Sequence, residues 1–522
     1  MRKMGFRLIF EVVSCSTLST VANAQAVQSD RIDDRTAIEV IRREGTQNSE
    51  VMEIASWLTD VYGPRLTNSP IARLGGDWAL ARMKKWGLSN PHYEWFAFGR
   101  GWTNERNVAQ VTAPVPYVVQ AFPGAWTAGT SGPVRARVVI VEVPANATLA
   151  DYERYRGRLR GKIVLAAHPA IVTPMFAAPA TRWTIPELDS LASIPWKAIQ
   201  PSPALEAPAS HSAEAVQNKF WLDEGVVAVL TPGFLRGNSG SVTGGGASRR
   251  PDWPVSVPRL GVSAEHYGRM YRQVKKGIEP MMELDIRNRF NDGLQSFNII
   301  AELAGTDLSD EVVMIGAHFD SWHLATGATD NAAQAAVMME AMRILKSSRQ
   351  PLRRTVRIAL WTGEEQGLIG SRHYVTQHFG DRAHPKPEHV KLSAYFNLDF
   401  GAGAIRGIFA QGNTQAAAIF REWLTAIDSD SISTRHISME SVGGSDHEIF
   451  DAAGLPAFPF IQDEIDYYSR THHSSQDFFE RLIPDDLRHN AIVIATIAYL
   501  AANRNESIPR TDGLNRNDVR NR

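Results

Sequence analysis

Cysteine is almost absent from this chain of 522 residues, which has Cys15 and no other. One thiol cannot form a disulfide within the chain, so the fold has to depend on its apolar core, and a hydrophobic fraction of 43% provides ample material for one. Excess charge is absent as well, because the formal net charge of -1 gives no electrostatic reason to expect nucleic acid or a membrane surface as a partner. Beyond the N-terminus, no apolar run is long enough to span a bilayer.

The first 24 residues have the pattern of a secretory signal peptide. Arg2 and Lys3 open a basic region, residues 8–21 are mostly apolar, and residues 22–24 (ANA) form a small-x-small cleavage site. An uncleaved N-terminal helix is the alternative reading of the same residues. We expect cleavage after Ala24, a mature chain without cysteine, and a secreted or periplasmic location.

The composition and hydropathy pattern of the remaining chain change twice. Residues 25–45 are polar and are expected to form an irregular leader, and helical spacing predicts helices near 51–61 and 71–86. From about Pro114 to Phe290 the chain is rich in Pro, Gly, Val and Ala, which predicts a β-rich block with few helices. From about Ser296 apolar strands alternate with amphipathic helices, which is typical of an α/β fold with a mixed, mostly parallel sheet flanked by helices.

Histidines and carboxylates follow the predicted strands of this last region at five places. The candidates, each at or near the end of a strand or the start of a helix, are His318, Asp330, Glu365, Asp399 and His473. Taken singly, each has an ordinary alternative as a solvated loop residue or a helix cap. Together they are expected to meet, because the carboxyl ends of strands line the crevice of an open α/β sheet. Burying several carboxylates in one place is costly unless cations neutralise them.

The types of ligand indicate the metal. Two imidazoles and three carboxylates without a thiolate suit zinc, with manganese or cobalt as possible substitutes. Five ligands are too many for one catalytic zinc ion but fit two ions if one carboxylate bridges them. We therefore predict a site for two Zn²⁺ ions.

Five short strings resemble the di-zinc aminopeptidases and glutamate carboxypeptidases, which form metallopeptidase family twenty-eight. They are 316–321 (GAHFDS), 328–331 (ATDN), 362–367 (TGEEQG), 397–399 (NLD) and 473–477 (HSSQD). Residues 62–67 (YGPRLT) and 99–106 (GRGWTNER) are similar to the branch of this family that contains the plasma glutamate carboxypeptidase. The resemblance covers nearly the whole mature chain.

The resemblance implies a role for each ligand. Asp330 would bridge both zinc ions and would be followed by a cis peptide bond to Asn331. His318 and Asp399 would complete one metal site, and Glu365 and His473 would complete the other.

Two further residues are implied as catalytic. Glu364 would be the general base, and Asp320 would orient the imidazole of His318. His472 competes with His473 as a ligand, and the family spacing to Asp477 selects His473. The residues with open roles are His323 in a loop or pocket, Asp446 and His447 supporting the site or the fold, and Tyr467, Tyr468 and Arg470 as substrate contacts or ordinary surface.

The resemblance also implies a division of the chain. The segments are the signal peptide 1–24, an N-terminal helical part of the peptidase domain at 25–113, a protease-associated-type insert at 114–290, the catalytic zinc-peptidase domain at 291–505 and a polar C-terminal tail at 506–522.

The implied activity is that of a secreted metallo-exopeptidase that hydrolyses short peptides by metal-bound hydroxide. An aminopeptidase or dipeptidase is the first expectation, and a carboxypeptidase of the glutamate carboxypeptidase type is the alternative. A non-catalytic, receptor-like binding protein is the alternative of another class, which the intact ligand set and Glu364 disfavour. A short peptide is the expected partner, and a homodimer is possible; the sequence does not decide which end of the peptide is read.

Overall fold

The computed structural model describes residues 34–144, 147–197, 213–233, 240–428 and 432–511. The signal peptide and its cleavage site therefore lie outside the described residues, as does the tail from 512 onward. Among the helices that the structure describes, none has the length and hydropathy needed to cross a membrane.

Sixteen strands and twelve helices make up the described chain, apart from short single turns. In chain order the strands are β1 (Ser89–Ala97), β2 (Gly101–Ala113), β3 (Tyr117–Val118), β4 (Ala121–Pro123), β5 (Val134–Ile140), β6 (Ile163–Leu165), β7 (Ala228–Gly233), β8 (Arg259–Ser263), β9 (Met281–Asn291), β10 (Gln295–Leu303), β11 (Leu308–His318), β12 (Arg354–Trp361), β13 (Leu392–Asn397), β14 (Ile405–Phe409), β15 (His436–Ser438) and β16 (Ala457–Gln462). The helices are α1 (Asp34–Gln47), α2 (Val51–Ser56), α3 (Pro70–Trp86), α4 (Leu149–Tyr152), α5 (Ile185–Ser193), α6 (Ala213–Glu224), α7 (Ala264–Lys275), α8 (Ala333–Ser348), α9 (Ile369–His378), α10 (Thr414–Ile427), α11 (His447–Ala452) and α12 (Pro484–Asn503).

The first sheet has eight strands in the order β1-β10-β12-β11-β13-β16-β14-β15. Its centre is parallel, because β12, β11, β13 and β16 pair in that sense. The strands β1 and β10 extend one edge in antiparallel pairing, and β14 pairs antiparallel with β16 near the other. The prediction of a mixed, mostly parallel sheet flanked by helices is confirmed.

Helices cover both faces of this sheet, which is why its central strands are buried along most of their length. On one face α1, α2, α8 and α12 share a core with the strands, and α8 is buried along almost its entire length. On the other face α9 and α11 pack with Trp361, Tyr374 and Phe450. The carboxyl ends of the central strands are left as the open edge.

The second sheet also has eight strands, in the order β3-β2-β9-β5-β6-β7-β8-β4. The chain leaves the first sheet after β1 and re-enters it at β10, and these two strands pair with each other. The long pair β2–β9 runs from Gly101 opposite Asn291 to Ala113 opposite Met281. Helix α7 packs on one face through Tyr267, and α6 packs on the other through Trp221 and its neighbours.

Two expectations from the sequence are wrong. Residues 34–45 are not an irregular leader but belong to α1, because Ala37, Ile38 and Ile41 form a buried stripe against α8 and α12. The block from 114 to 290 contains four helices, α4 to α7, so it is not poor in helix. In contrast α3 is confirmed, with Ser69 capping its first turn and Gly87 ending it at a positive φ of 81°.

Candidate metal centre

The ends of three parallel strands bring most of the candidate residues together. His318 is the last residue of β11, Glu364 and Glu365 follow β12, and Asp399 follows β13. Since β11 pairs in parallel with both neighbours, these ends lie side by side at one edge of the sheet. The strand ends that the sequence predicts to meet therefore do lie at the same edge of the sheet.

One half of the cluster is centred on the buried imidazole of His318. Its Nε2 lies 2.9 Å from Asp399 Oδ1 and 3.3 Å from Asp330 Oδ1. Its Nδ1 lies 3.0 Å from the main-chain oxygen of Asp320, and a carbonyl can only accept a hydrogen bond. Nδ1 therefore donates to this carbonyl, which leaves Nε2 facing the two carboxylates, where a bound cation would take the place of its proton.

The other half of the cluster is centred on His473, in the loop after β16. Its Nε2 lies 2.8 Å from Glu365 Oε2 and 3.5 Å from Asp330 Oδ2. The two oxygens of Asp330 thus face different histidines, Oδ1 toward His318 and Oδ2 toward His473. This is the arrangement expected of a bridging carboxylate.

The donor atoms fit a divalent cation. Within the described part of the chain, the ligand atoms of His318, Asp330 and Asp399 lie within 4.8 Å of one another, as do those of Asp330, His472 and His473. Asp330 belongs to both groups, and its Oδ2 is buried without a hydrogen-bond partner among the described residues. An unpaired buried carboxylate oxygen is costly unless a cation binds it.

The charges of the cluster lead to the same conclusion. Burial alone would lower the pKa of His318, but the carboxylates of Asp399 and Glu364 raise it well above its ordinary value. Burial likewise opposes the charge on His473, whose pKa the Glu365 carboxylate raises to about 9. Burial and the neighbouring Asp330 raise the pKa of Glu365 itself to about 7. Carboxylates outnumber imidazoles here, so the cluster has room for added positive charge.

Glu364 lies beside the first half of the cluster. Its Oε2 is 4.0 Å from His318 Nε2, and its side chain is 11% exposed, so it faces the cluster while remaining reachable from the crevice. Burial raises the pKa of Glu364 well above its ordinary value. Its main-chain nitrogen donates to Asp320 Oδ1 over 3.4 Å, and the other oxygen of Asp320 accepts from Thr67 Oγ1 at 2.6 Å. Asp320 therefore contacts both His318 and Glu364.

The loop that carries Asp330 is held by Asp477. The carboxylate of Asp477 accepts from the main-chain nitrogens of Thr329 at 2.7 Å and Asp330 at 3.1 Å. The peptide bond between Asp330 and Asn331 is cis, as the resemblance implied. The Asn331 side chain donates to the main-chain oxygen of Leu398 at 3.2 Å, next to Asp399.

The loop that carries His473 is held by the second sheet. Gly244 donates its main-chain N–H to the oxygen of His473 at 2.5 Å. Ser475 donates to the oxygen of Val242 at 2.9 Å, and the Val242 nitrogen donates back to Ser475 Oγ at 3.1 Å. His473 adopts a positive φ of 53°, which these bonds on both sides help to maintain.

Arg65 holds the loops around the candidate centre together, although nothing in the sequence around it indicates these contacts. Its guanidinium is fully buried and donates to four main-chain oxygens, those of Leu58, Phe319, Thr326 and Gly327. Burial lowers the pKa of Arg65 to about 10. The side chain thus ties the segment before α3 to both the β11 loop and the Asp330 loop.

We expect Arg65→Ala to lower the free energy of unfolding by about 3 kcal/mol or more, because several buried carbonyl groups would lose their donor. Arg421→Ala is the matched control, since Arg421 is exposed on α10. Thermal or urea unfolding of both variants measures the difference. Equal stability of the two variants would contradict this role of Arg65.

The remaining residues named from the sequence lie around the centre. The ring of His472 stacks on that of His473 with centroids 3.8 Å apart. His323 Nε2 lies 2.7 Å from the oxygen of Pro123 in the second sheet, and burial lowers its pKa to about 4. Asp446 is fully buried, and burial raises its pKa to about 8. His447 Nε2 lies 2.9 Å from the main-chain oxygen of Val442. Tyr467 is buried and Tyr468 is 47% exposed, while Arg470 pairs with Asp466 at 3.6 Å.

Solved structures share this fold. The peptidase M28 precursor from Shewanella amazonensis SB2B superposes with a TM-score of 0.64 at 22% identity, over 92% of this chain and 99% of that one. BSAP, a zinc aminopeptidase from Bacillus subtilis, superposes with a TM-score of 0.55 at 18% identity, over 88% of this chain and 96% of that one. At these identities the likeness establishes the class of fold, that of an M28-type peptidase.

Part of the chain is also similar in sequence to this family. Residues 298–498 match the family model described as Peptidase family M28. Carboxypeptidase Q of Mus musculus is 28% identical over 266 residues, which cover 51% of this chain and 54% of that one. The chain thus spans about half the length of the curated relatives it matches. The matched residues include all five candidate ligands, and the match to this family model confirms the resemblance carried by the five strings.

Proposed function

We propose that this protein is a metallo-exopeptidase with two zinc ions that hydrolyses short peptides, most readily as an aminopeptidase or dipeptidase. The observation that carries the proposal is the position of Asp330, whose two carboxylate oxygens face His318 and His473 separately. One ion would be held by His318, Asp330 and Asp399, and the other by Asp330, Glu365 and His473. Manganese or cobalt are the substitutes that this donor set also suits.

The chemistry divides between the metal and the protein. Zinc bound at this place supplies Lewis acidity, which polarises a peptide carbonyl and makes a water molecule more acidic. Glu364 accepts the proton of the attacking water and then delivers it to the departing amine. Asp320 positions both residues, because its main-chain oxygen contacts His318 Nδ1 and its carboxylate accepts from the main-chain nitrogen of Glu364.

A carboxypeptidase is the second candidate. The similarity to carboxypeptidase Q of Mus musculus favours it, whereas the likeness of fold to the zinc aminopeptidase BSAP supports the first candidate. A receptor-like protein without catalysis is disfavoured, because both histidines, the three carboxylates and Glu364 are all brought together.

A small panel of substrates tests the proposal. Free dipeptides, amino-blocked dipeptides and aminoacyl-anilides are incubated with the protein before and after a chelator. We expect hydrolysis of free dipeptides and anilides, complete loss with the chelator and recovery with Zn²⁺. Cleavage of blocked dipeptides alone would contradict the aminopeptidase proposal and favour a carboxypeptidase. Cleavage that the chelator does not affect would contradict the zinc centre.

We also propose export from the cytoplasm, on the strength of the signal-like residues 1–24, and the division into catalytic parts at 25–113 and 291–505 with a protease-associated-type insert at 114–290. The connection of the second sheet between β1 and β10 supports the idea of an insert.

A further inference from the structure

An apolar cavity opens beside the candidate metal centre. It has a volume of ≈ 210 Å³, and its lining includes Trp183, Phe400, Phe409, Val442, Phe460 and Tyr468. Phe400 directly follows the ligand Asp399, and Tyr468 lies in the turn that precedes His472 and His473. A peptide at the metal centre would therefore have one of its side chains next to this cavity.

One wall of the cavity comes from a different part of the fold. Residues 179–183, which we call the strap, follow β6 of the second sheet and cross onto the first sheet. Thr181 and Ile465 exchange two main-chain hydrogen bonds of 2.9 Å each, and Ser469 Oγ donates to the oxygen of Pro179 at 2.6 Å. The strap is thus attached to the same segment that leads into the His473 loop.

A buried carboxylate, that of Asp463, fixes the end of the strap that carries Trp183. Asp463 is 1% exposed and pairs with Arg182 and Arg406, each at 2.8 Å. The main-chain nitrogen of Trp183 donates to Asp463 at 2.9 Å, and its indole N–H donates to the oxygen of Gln462 at 2.8 Å. With both its backbone and its ring bonded, Trp183 forms a fixed wall rather than a mobile cover.

The lining also determines which side chain fits. Among the described residues that line the cavity, no lysine, arginine or histidine is present to pair with an acidic side chain. Its one carboxylate, Glu464, is exposed at the rim, and partial desolvation raises its pKa. An acidic substrate side chain would meet this carboxylate without a cation, so the cavity favours a large apolar side chain.

We propose that Trp183 is a specificity-determining residue, whose ring closes a pocket for a large apolar side chain of the peptide substrate. The second sheet, through the strap, would then select the substrate that the first sheet cleaves. This inference rests on the proposed peptidase function, and the experiment below separates the two.

The test compares substrate preference in the wild type and in Trp183→Ala. Two series of dipeptides, X-Ala and Ala-X, have Gly, Leu, Phe or Glu as X, and kcat/KM is measured in the zinc-loaded full chain. We expect the wild type to prefer Phe and Leu over Gly and Glu in one series. Trp183→Ala should reduce the preference for Phe over Gly by about tenfold or more, since pockets of this kind discriminate by at least that factor.

Two control variants distinguish an effect of the Trp183 ring on the pocket from an effect of loosening the whole connection. Trp183→Phe keeps an aromatic wall and should retain the preference. Trp196→Ala removes a tryptophan further along the same connection, whose indole N–H donates to Ser441 Oγ at 2.9 Å, and it should also leave the preference unchanged. An equal loss of preference in Trp196→Ala, or none in Trp183→Ala, would overturn the proposal.

Binding gives a readout that does not need turnover. In the Glu364→Gln background, calorimetric titration with Phe-Ala and Gly-Ala measures the affinity difference with and without Trp183→Ala. If no dipeptide is cleaved by the wild type but the affinity difference is present and depends on Trp183, the peptidase proposal fails and the pocket stands. If dipeptides are cleaved while neither rate nor affinity depends on Trp183, the pocket fails alone.

Discussion

Glu364→Gln is expected to lower kcat by about 10²- to 10⁴-fold, the contribution of a positioned general base, while both zinc ions stay bound. The amide has nearly the shape of the carboxylate but cannot accept the proton of water at neutral pH. Glu364 also lies outside the ion-pair contacts that join Asp330 to its two histidines, so its loss should leave the metal content unchanged. Initial rates on a free dipeptide and elemental analysis of the same preparation measure both effects.

The neighbouring residue provides the control. Glu365→Gln makes the same chemical change one position along, at a side chain that lies 2.8 Å from His473 Nε2. We expect this second variant to lose zinc as well as activity. Rates near those of the wild type in Glu364→Gln would remove Glu364 from the role of base, and loss of zinc in that variant would make it a ligand instead.

Asp330→Asn is expected to reduce the occupancy of both metal sites together. Each oxygen of Asp330 faces a different histidine, and an amide offers one neutral oxygen in place of two charged ones. Because metal binding stabilises the state that contains the site, the variant should also lose the rise in Tm that Zn²⁺ gives the wild type. Zinc content per chain and Tm with and without Zn²⁺ are the measurements.

Asp485→Asn is the control for this substitution, since Asp485 is an exposed residue of α12 that pairs with Arg488. Loss of one zinc ion with full retention of the other would contradict the bridging role. Unchanged zinc content would exclude Asp330 from the centre altogether.

The parallel strands at the centre of the first sheet were predictable from the sequence, whereas its edge strand β1 and helix α1 were not. The strand β13 is buried throughout and reads as an apolar run bounded by polar residues. The strand β1 is mostly half-exposed, with Trp95 and His92 on its surface, so it lacks that signal. Helix α1 was missed for a related reason, because charged residues on its exposed side hide the stripe of Ala37, Ile38 and Ile41.

The same contrast applies to the candidate site. Its proposed ligands follow strands or open a helix, and strand ends converge by topology, so the sequence alone predicts that they meet. Arg65 could not be found in this way, since three of its four partners are main-chain oxygens more than 250 residues away, such as that of Phe319. Trp183 was also out of reach, because only the tertiary contact with Gln462 places it beside Phe400 and Tyr468.

The hydrogen bonds between Gly244 and His473, and between Val242 and Ser475, mean that the two sheets cannot be treated as interchangeable modules. A loop of the second sheet fixes the backbone on which the last proposed ligand stands. An insertion or deletion in that loop would reach the metal centre directly, although the loop holds no candidate ligand. We therefore expect changes in this loop to be tolerated only where the backbone of His473 keeps its position.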